Sequence, residues 1–227
     1  MKIDFETKFT GWTFVFASLM LWGGWMLLPH RIGEYIVAED FPAVGEQMWT
    51  WIWIFRVHIF GWVAIIVAAI ALAAKASKSS HRILITPGVG MLVVGTFTLA
   101  LASAFYYNYG AWGVGMTEGK SVAEIQEFMN NILYTNQYVT CFVRFGRIFS
   151  GVGLVLLGIG LLKGRVLPAW LSIFTVLLGL AAMLIILFIP EYYEYYKPVF
   201  HAKAAWLLLM GLVIVRIGIG RPQEEAL

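Results

Sequence analysis

Six basic side chains lie within otherwise apolar stretches of this chain, and their chemistry most needs an explanation. They are Arg56, His58, Arg144, Arg147, His201 and Lys203. No Asp or Glu occurs in the same stretches, so none of them supplies a carboxylate that could neutralise these cations. Guanidinium and ammonium groups bind carboxylates, phosphates and carbonyl oxygens. The set therefore predicts a cationic pocket for an anionic or electron-rich ligand, such as a lipid, a quinone or haem.

The two histidines suggest a more specific alternative. His58 and His201 lie on separate stretches, and they could be the axial ligands of a haem b whose propionates approach Arg144, Arg147 or Lys203. They are metal ligands only if haem is bound, because no second histidine follows either one at i+3 or i+4. A histidine that hydrogen-bonds across helices is the structural alternative.

Helical spacing limits which of these groups can share one pocket. Arg56 and His58 are two residues apart and point to nearly opposite sides of a helix, and the same holds for His201 and Lys203. At most one member of each pair therefore faces a common interior. Arg144, three residues before Arg147, shares its face.

The aromatic neighbours of the first pair differ between the two helix faces. The face of His58 carries Trp51, Ile54, Phe55 and Trp62, whereas the face of Arg56 carries Trp49, Trp53 and Phe60. Contact between the arginine and an indole ring is possible on the second face.

A purely structural explanation of the cations is also open. An intramembrane arginine costs a few kcal/mol on insertion scales unless it is paired or extends to the interface. Glu46, Glu191 and Glu194 lie in outer connections that can dip in at the interface and pair with the cations, which can also reach lipid phosphates. In that case the cations stabilise the bundle and bind no ligand.

The apolar stretches have the length that a bilayer requires. Hydrophobic residues make up 60% of the chain and charged residues only 13%, whereas a soluble domain carries about 25% charged residues. Backbone amides in lipid must be satisfied within helices, so each run that is long enough to span is helical. The six runs cover residues 11–28, 48–74, 83–107, 137–162, 167–189 and 199–215. The sequence predicts an all-α integral membrane protein, a six-transmembrane-helix bundle that forms one domain over residues 1–227.

The connections between these spans differ in charge, and this difference predicts the orientation. Nine basic residues flank one side of the spans and three flank the other. The nine are Lys2, Lys8, Lys75, Lys78, Arg82, Lys163, Arg165, Arg216 and Arg221, and the three are Arg31, Lys120 and Lys197. We therefore expect cytoplasmic N and C termini, a multi-pass protein of the inner (cytoplasmic) membrane, and cations in the outer half of the bilayer.

The connection between the third and fourth predicted spans has the pattern of a further helix. Ser121 and Glu124 form a capping box before a run with apolar residues at helical spacing. This pattern predicts a short amphipathic helix around residues 121–134 at the outer face of the membrane.

These sequence features exclude some functional classes and leave others open. The scattered basic residues exclude a nucleic-acid partner, and no catalytic constellation is present, so we expect no catalysis by this chain alone. We interpret the chain as an accessory or ligand-binding subunit of a membrane complex, with the bilayer and other membrane subunits as partners. A small organic-anion carrier and a haem-b or quinone-linked electron-transfer subunit are the alternatives.

Overall fold

A computed structural model describes residues 4–26, 38–189 and 193–219 of the chain. Within these residues the backbone is almost entirely helical, and no strand occurs. The eight α-helices of this part are α1 (Phe5–Met26), α2 (Phe41–Glu46), α3 (Met48–Lys75), α4 (Arg82–Thr117), α5 (Val122–Asn131), α6 (Leu133–Lys163), α7 (Ala169–Phe188) and α8 (Tyr193–Ile217). Two short 3-10 helices, Ala38–Asp40 and Ala76–Lys78, precede α2 and follow α3.

Five of these helices are long and apolar enough to cross a membrane. They are α3, α4, α6, α7 and the segment Tyr195–Ile217 of α8. The all-helical fold and the multi-pass membrane class that the sequence predicts are thereby confirmed. The first predicted span is a helix as well, but Thr, Gly and Trp dilute its apolar character, so its passage through the bilayer stays a prediction, as does the orientation. Residues 27 and 28 of that span lie outside the described residues.

The long helices form a closed ring. Helix α1 packs between α3 and α8, α4 packs between α3 and α6, and α7 joins α6 to α8 with its smaller contact on α8. The ring has two different ends. We call the end that carries α2 and α5 the capped end, and the opposite end, where Lys75 forms ion pairs with Asp4 and Glu6, the basic end.

Two glycine stripes pack α6 closely against both of its neighbours in the ring, α4 and α7. A Cβ added to Gly146 or Gly153 would collide with the backbone of α4, and one added to Gly151 or Gly158 would collide with the backbone of α7. Small residues allow helices to approach closely in a membrane. Both stripes therefore form helix contacts within the chain.

The capped end differs most from the predicted spans. Helix α4 continues to Thr117, ten residues beyond its predicted end, and at 36 residues it measures about 54 Å. Its extension packs with α2 and α5 in a separate hydrophobic cluster, and Gly110 gives the indole of Trp51 room there. The capping box of Ser121 and Glu124 is present as predicted, and it begins α5.

Two further helices also extend beyond the predicted spans near the capped end. The predicted sixth span begins at residue 199, but α8 already begins at Tyr193 and contains Pro198. Pro198 is the sixth residue of α8, so the helix lacks one backbone hydrogen bond close to its start. Helix α6 likewise begins at Leu133, four residues before the predicted span.

Candidate functional site

A cavity of about 150 Å³ lies inside the ring toward the capped end. Its walls come from α1, α3, α4, α6 and α8. The apolar lining contains seven aromatic side chains, Trp25, Trp51, Phe55, Trp62, Tyr106, Tyr196 and Phe200, together with Ile54, Leu99, Ala102 and Val143. The remaining lining residues are His58, Ser103, Arg147, Lys197 and Lys203. No Asp or Glu occurs among the lining residues of the part of the chain that the structure describes.

Helical periodicity brings these residues to one place. Helix α3 contributes positions 51, 54, 55, 58 and 62, and α4 contributes positions 99, 102, 103 and 106. Residues at i, i+3, i+4 and i+7 lie on one face of a helix. The face of His58 identified in the sequence is therefore the face that lines the cavity.

Lys203 is the most unusual residue of the lining. Its side chain is 4% exposed, and its ammonium lies 5.2 Å from the centre of the Trp62 ring. Among the described residues, no carboxylate forms an ion pair with it and no acceptor hydrogen-bonds with it. A buried ammonium is costly unless it is paired. The cavity therefore presents a cation that the described part of the chain does not neutralise.

Arg147 is the second buried cation of the cavity. It is 9% exposed, and its guanidinium carbon lies 4.1 Å from the centre of the Tyr196 ring. This contact joins α6 to α8 across the cavity wall. A guanidinium stacked on an aromatic ring keeps its N–H groups at the edge of the plane, where they can bind carbonyl or anionic oxygens.

His58 contributes its ring to the same lining, but one of its nitrogens is enclosed. Its Nε2 is buried without a hydrogen-bond partner among the described residues, and it packs so closely on Gly24 that a Cβ there would collide with it. His58 therefore fastens α3 to α1 in this arrangement.

The other three predicted site residues do not line this cavity. Nδ1 of His201 accepts a hydrogen bond from the indole of Trp22 at 3.2 Å. Arg56 donates to the Tyr107 hydroxyl at 3.2 Å and lies 5.4 Å from the Trp53 ring, so the arginine–indole contact that the sequence allows is present. The side chain of Arg144 is exposed.

Helical spacing explains why some of the predicted residues line the cavity and their near neighbours in sequence do not. His58 faces the cavity whereas Arg56 does not, and Lys203 faces it whereas His201 does not. Three of the six predicted residues are thus brought together, namely His58, Arg147 and Lys203. The Phe200 ring contacts both imidazoles, at 6.3 Å from His58 and 5.8 Å from His201 between ring centres.

Some of the residues with which α8 and α4 line the cavity were not predicted from the sequence. Tyr196 and Lys197 were assigned to a connection because the predicted span began at residue 199. Tyr196, Phe200 and Lys203 nevertheless have i, i+4 and i+7 spacing, which could have shown one lining face. Ser103 was missed because a lone serine in an apolar helix has no distinguishing pattern.

Comparison with known proteins adds no assignment to this geometry. No protein-family model, no curated protein sequence and no solved structure matches the chain. Among residues 4–26, 38–189 and 193–219, no group of three or more His, Cys, Asp or Glu side chains could hold a metal ion. The function must therefore be argued from the cavity and its charges.

Proposed function

We propose that this chain is a ligand-binding membrane protein, and that the cavity at the capped end holds an electron-rich or anionic group of a membrane-soluble ligand. The observation that carries the proposal is Lys203, which is 4% exposed and lines the cavity with no carboxylate partner among the described residues. A ligand oxygen beside the ammonium would supply the missing hydrogen bond.

The surroundings of Lys203 support the same conclusion. Arg147 faces the same small space, and two like charges in a low-dielectric interior repel each other. An electron-rich ligand between them reduces this repulsion. Proteins retain such strained arrangements at functional sites more readily than elsewhere.

Axial haem ligation by His58 and His201 is not favoured by this geometry. His201 does not line the cavity and already accepts a hydrogen bond from Trp22, while Nε2 of His58 is enclosed by Gly24. The cavity is also smaller than the roughly 300 Å³ at which drug-sized ligand pockets begin. Of the electron-transfer alternative, the geometry therefore leaves a quinone-linked subunit rather than a haem-b subunit. No described contact favours the alternative of an organic-anion carrier.

The cellular setting of the proposal comes from the sequence. The distribution of basic residues supports an orientation with the cavity toward the outer side of the membrane, which we propose is the inner (cytoplasmic) membrane. We further propose that the chain acts as an accessory subunit of a membrane complex, to which its cavity contributes a binding site. Purification in a mild detergent tests for such partner proteins directly.

The ligand itself can be sought in the same preparation. We expect a small molecule to co-purify with the wild-type protein and to be detected by mass spectrometry after organic extraction. The double variant Arg147→Gln, Lys203→Met should lose this molecule, because the two buried cations of the cavity are then replaced by neutral side chains. The matched control is Arg56→Gln, which neutralises an intramembrane arginine that lies outside the cavity. Equal extracts from all three proteins would contradict the proposal.

A further inference from the structure

We infer that the ligand of this cavity is a planar quinoid head group, meaning an aromatic-sized ring that carries carbonyl oxygens. This inference rests on the proposed function, since it names the chemical class that the same cavity accepts. Three features of the site carry it, namely its volume, its walls and the placement of its donors.

The volume matches a single six-membered ring. The cavity measures about 150 Å³, and an apolar protein cavity of about this size is known to bind benzene. A substituted benzoquinone ring has the same core, whereas a porphyrin is several rings wide. The alkyl tail of a membrane quinone then has to leave the cavity between the helices.

The walls favour a neutral, electron-poor ring over a full anion. Seven aromatic side chains line the cavity, and the faces of aromatic rings carry negative partial charge. Phosphate or carboxylate is repelled by such faces, and a phosphate needs several donors to replace its hydration. A quinone ring is electron-poor, so it stacks favourably on Trp and Tyr rings.

The hydrogen-bond donors of the lining differ in whether the described residues already satisfy them, and this difference favours a carbonyl oxygen at Lys203. Trp62 donates its indole N–H to Ser103 at 3.1 Å, and the Ser103 hydroxyl donates to the Leu99 carbonyl at 3.0 Å. These side chains are therefore satisfied within the chain. Lys203 has no such partner among the described residues, and its ammonium lies above the same Trp62 ring. A carbonyl oxygen at Lys203 would place the quinoid ring next to Trp62 and Phe200.

Calorimetric titration of the detergent-solubilised chain with three probes of equal tail length tests this inference. The probes are a decyl benzoquinone whose ring positions are all substituted, decylbenzene and decyl phosphate. Full substitution prevents addition of the exposed Cys141 thiol to the ring. The quinone should bind at least about tenfold more tightly than decylbenzene, because a hydrogen bond to a charged group is worth that much in affinity.

Two variants locate the binding. Lys203→Met should weaken quinone binding by about tenfold or more, whereas Arg56→Gln should leave it unchanged. Decyl phosphate binding as tightly as the quinone, or decylbenzene doing so, would overturn the quinoid assignment. If that tighter probe also depends on Lys203, the proposed ligand-binding function survives. If none of the three probes binds and nothing co-purifies, both the quinoid assignment and the proposed ligand-binding function are contradicted.

Discussion

The ammonium of Lys203 lies 5.2 Å from the centre of the Trp62 ring, so that a buried cation of α8 faces an indole of α3. A desolvated cation–π contact is worth about 2 kcal/mol. The effective penalty for burying one ion amounts to several kcal/mol. The ring alone therefore does not offset the burial of Lys203, and a ligand oxygen is the partner that we propose.

This imbalance predicts the sign of a stability change. Replacing Lys203 with Met, which has a similar volume and no charge, should stabilise the ligand-free protein by about 1 to 4 kcal/mol. The measurement is thermal unfolding in detergent after the co-purified small molecules have been removed. The arginine control, Arg56→Gln, should give no gain, because it loses a hydrogen bond to Tyr107. A Lys203→Met protein that unfolds well below the wild type would instead indicate a lysine paired within the chain.

Close packing of α4 on α6 gives a second prediction. The Cβ of an alanine at Gly95 would collide with the backbone of Gly146 and Ser150. We expect Gly95→Ala to destabilise the protein by about 1 to 3 kcal/mol, the usual cost of overpacking a core. The matched control is Gly90→Ala in the same helix, where an added Cβ meets nothing within 4 Å. Equal unfolding temperatures for both variants would contradict the packing account.

The capping box of α5 predicts a pH dependence. Hydrogen bonds from the backbone N–H and hydroxyl of Ser121 hold the pKa of the Glu124 carboxyl below its ordinary value. Because the folded-state pKa is lowered, the stabilisation is complete above the unfolded value of about 4.3 and is lost as the pH falls through the folded value. Hydrogen exchange of α5, corrected for its intrinsic rate, should therefore accelerate in this acidic range relative to pH values near neutrality.

Two substitutions separate this effect from general acid sensitivity. Glu124→Gln keeps a side chain that can complete the capping box but does not titrate, so the pH dependence of α5 exchange should disappear. Glu127→Gln changes an exposed carboxyl of the same helix outside the box, and it should leave the dependence intact. An unchanged pH profile in the first variant would refute the assignment to Glu124.

A fourth prediction concerns α1 as a sixth membrane span. The helix has 22 residues, and at about 1.5 Å per residue it measures about 33 Å, enough for a hydrocarbon core of about 30 Å. Single cysteines at Phe5 and Ser80 should react with an impermeant maleimide from one side of the membrane in a chain whose Cys141 is replaced by Ser. Cysteines at Met26 and Ala123 should react from the other side. Reaction at Met26 from the same side as Phe5 would show that α1 does not span.

The sequence predicted the long helices well because the lipid solvent dictates them. Backbone amides in hydrocarbon leave no alternative to a helix, so α3 and α7 begin and end close to their predicted bounds. The extension of α4 was missed because Asn108, Tyr109 and Gly110 resemble a connection locally. Tertiary contacts with α2 and α5 keep that segment helical, and no local pattern encodes such contacts.

The candidate site was predictable in part for a related reason. Helical spacing correctly separated His58 from Arg56 and Lys203 from His201, because side-chain direction follows from the helix period. Spacing could not show that Arg144 is exposed while Arg147 is buried, since that depends on the position of α8. The contact of Arg147 with Tyr196 joins residues far apart in sequence, and only the folded ring brings them together.

The most direct test of the ligand-binding proposal is an experimental map of the protein purified in mild detergent, at a resolution that separates side chains. We predict non-protein density in the cavity, with an atom at about 3 Å from Nζ of Lys203, as a hydrogen bond requires. A carboxylate of the chain itself, such as that of Glu191 or Glu194, in this position would contradict the proposal and leave the buried cations with a structural role.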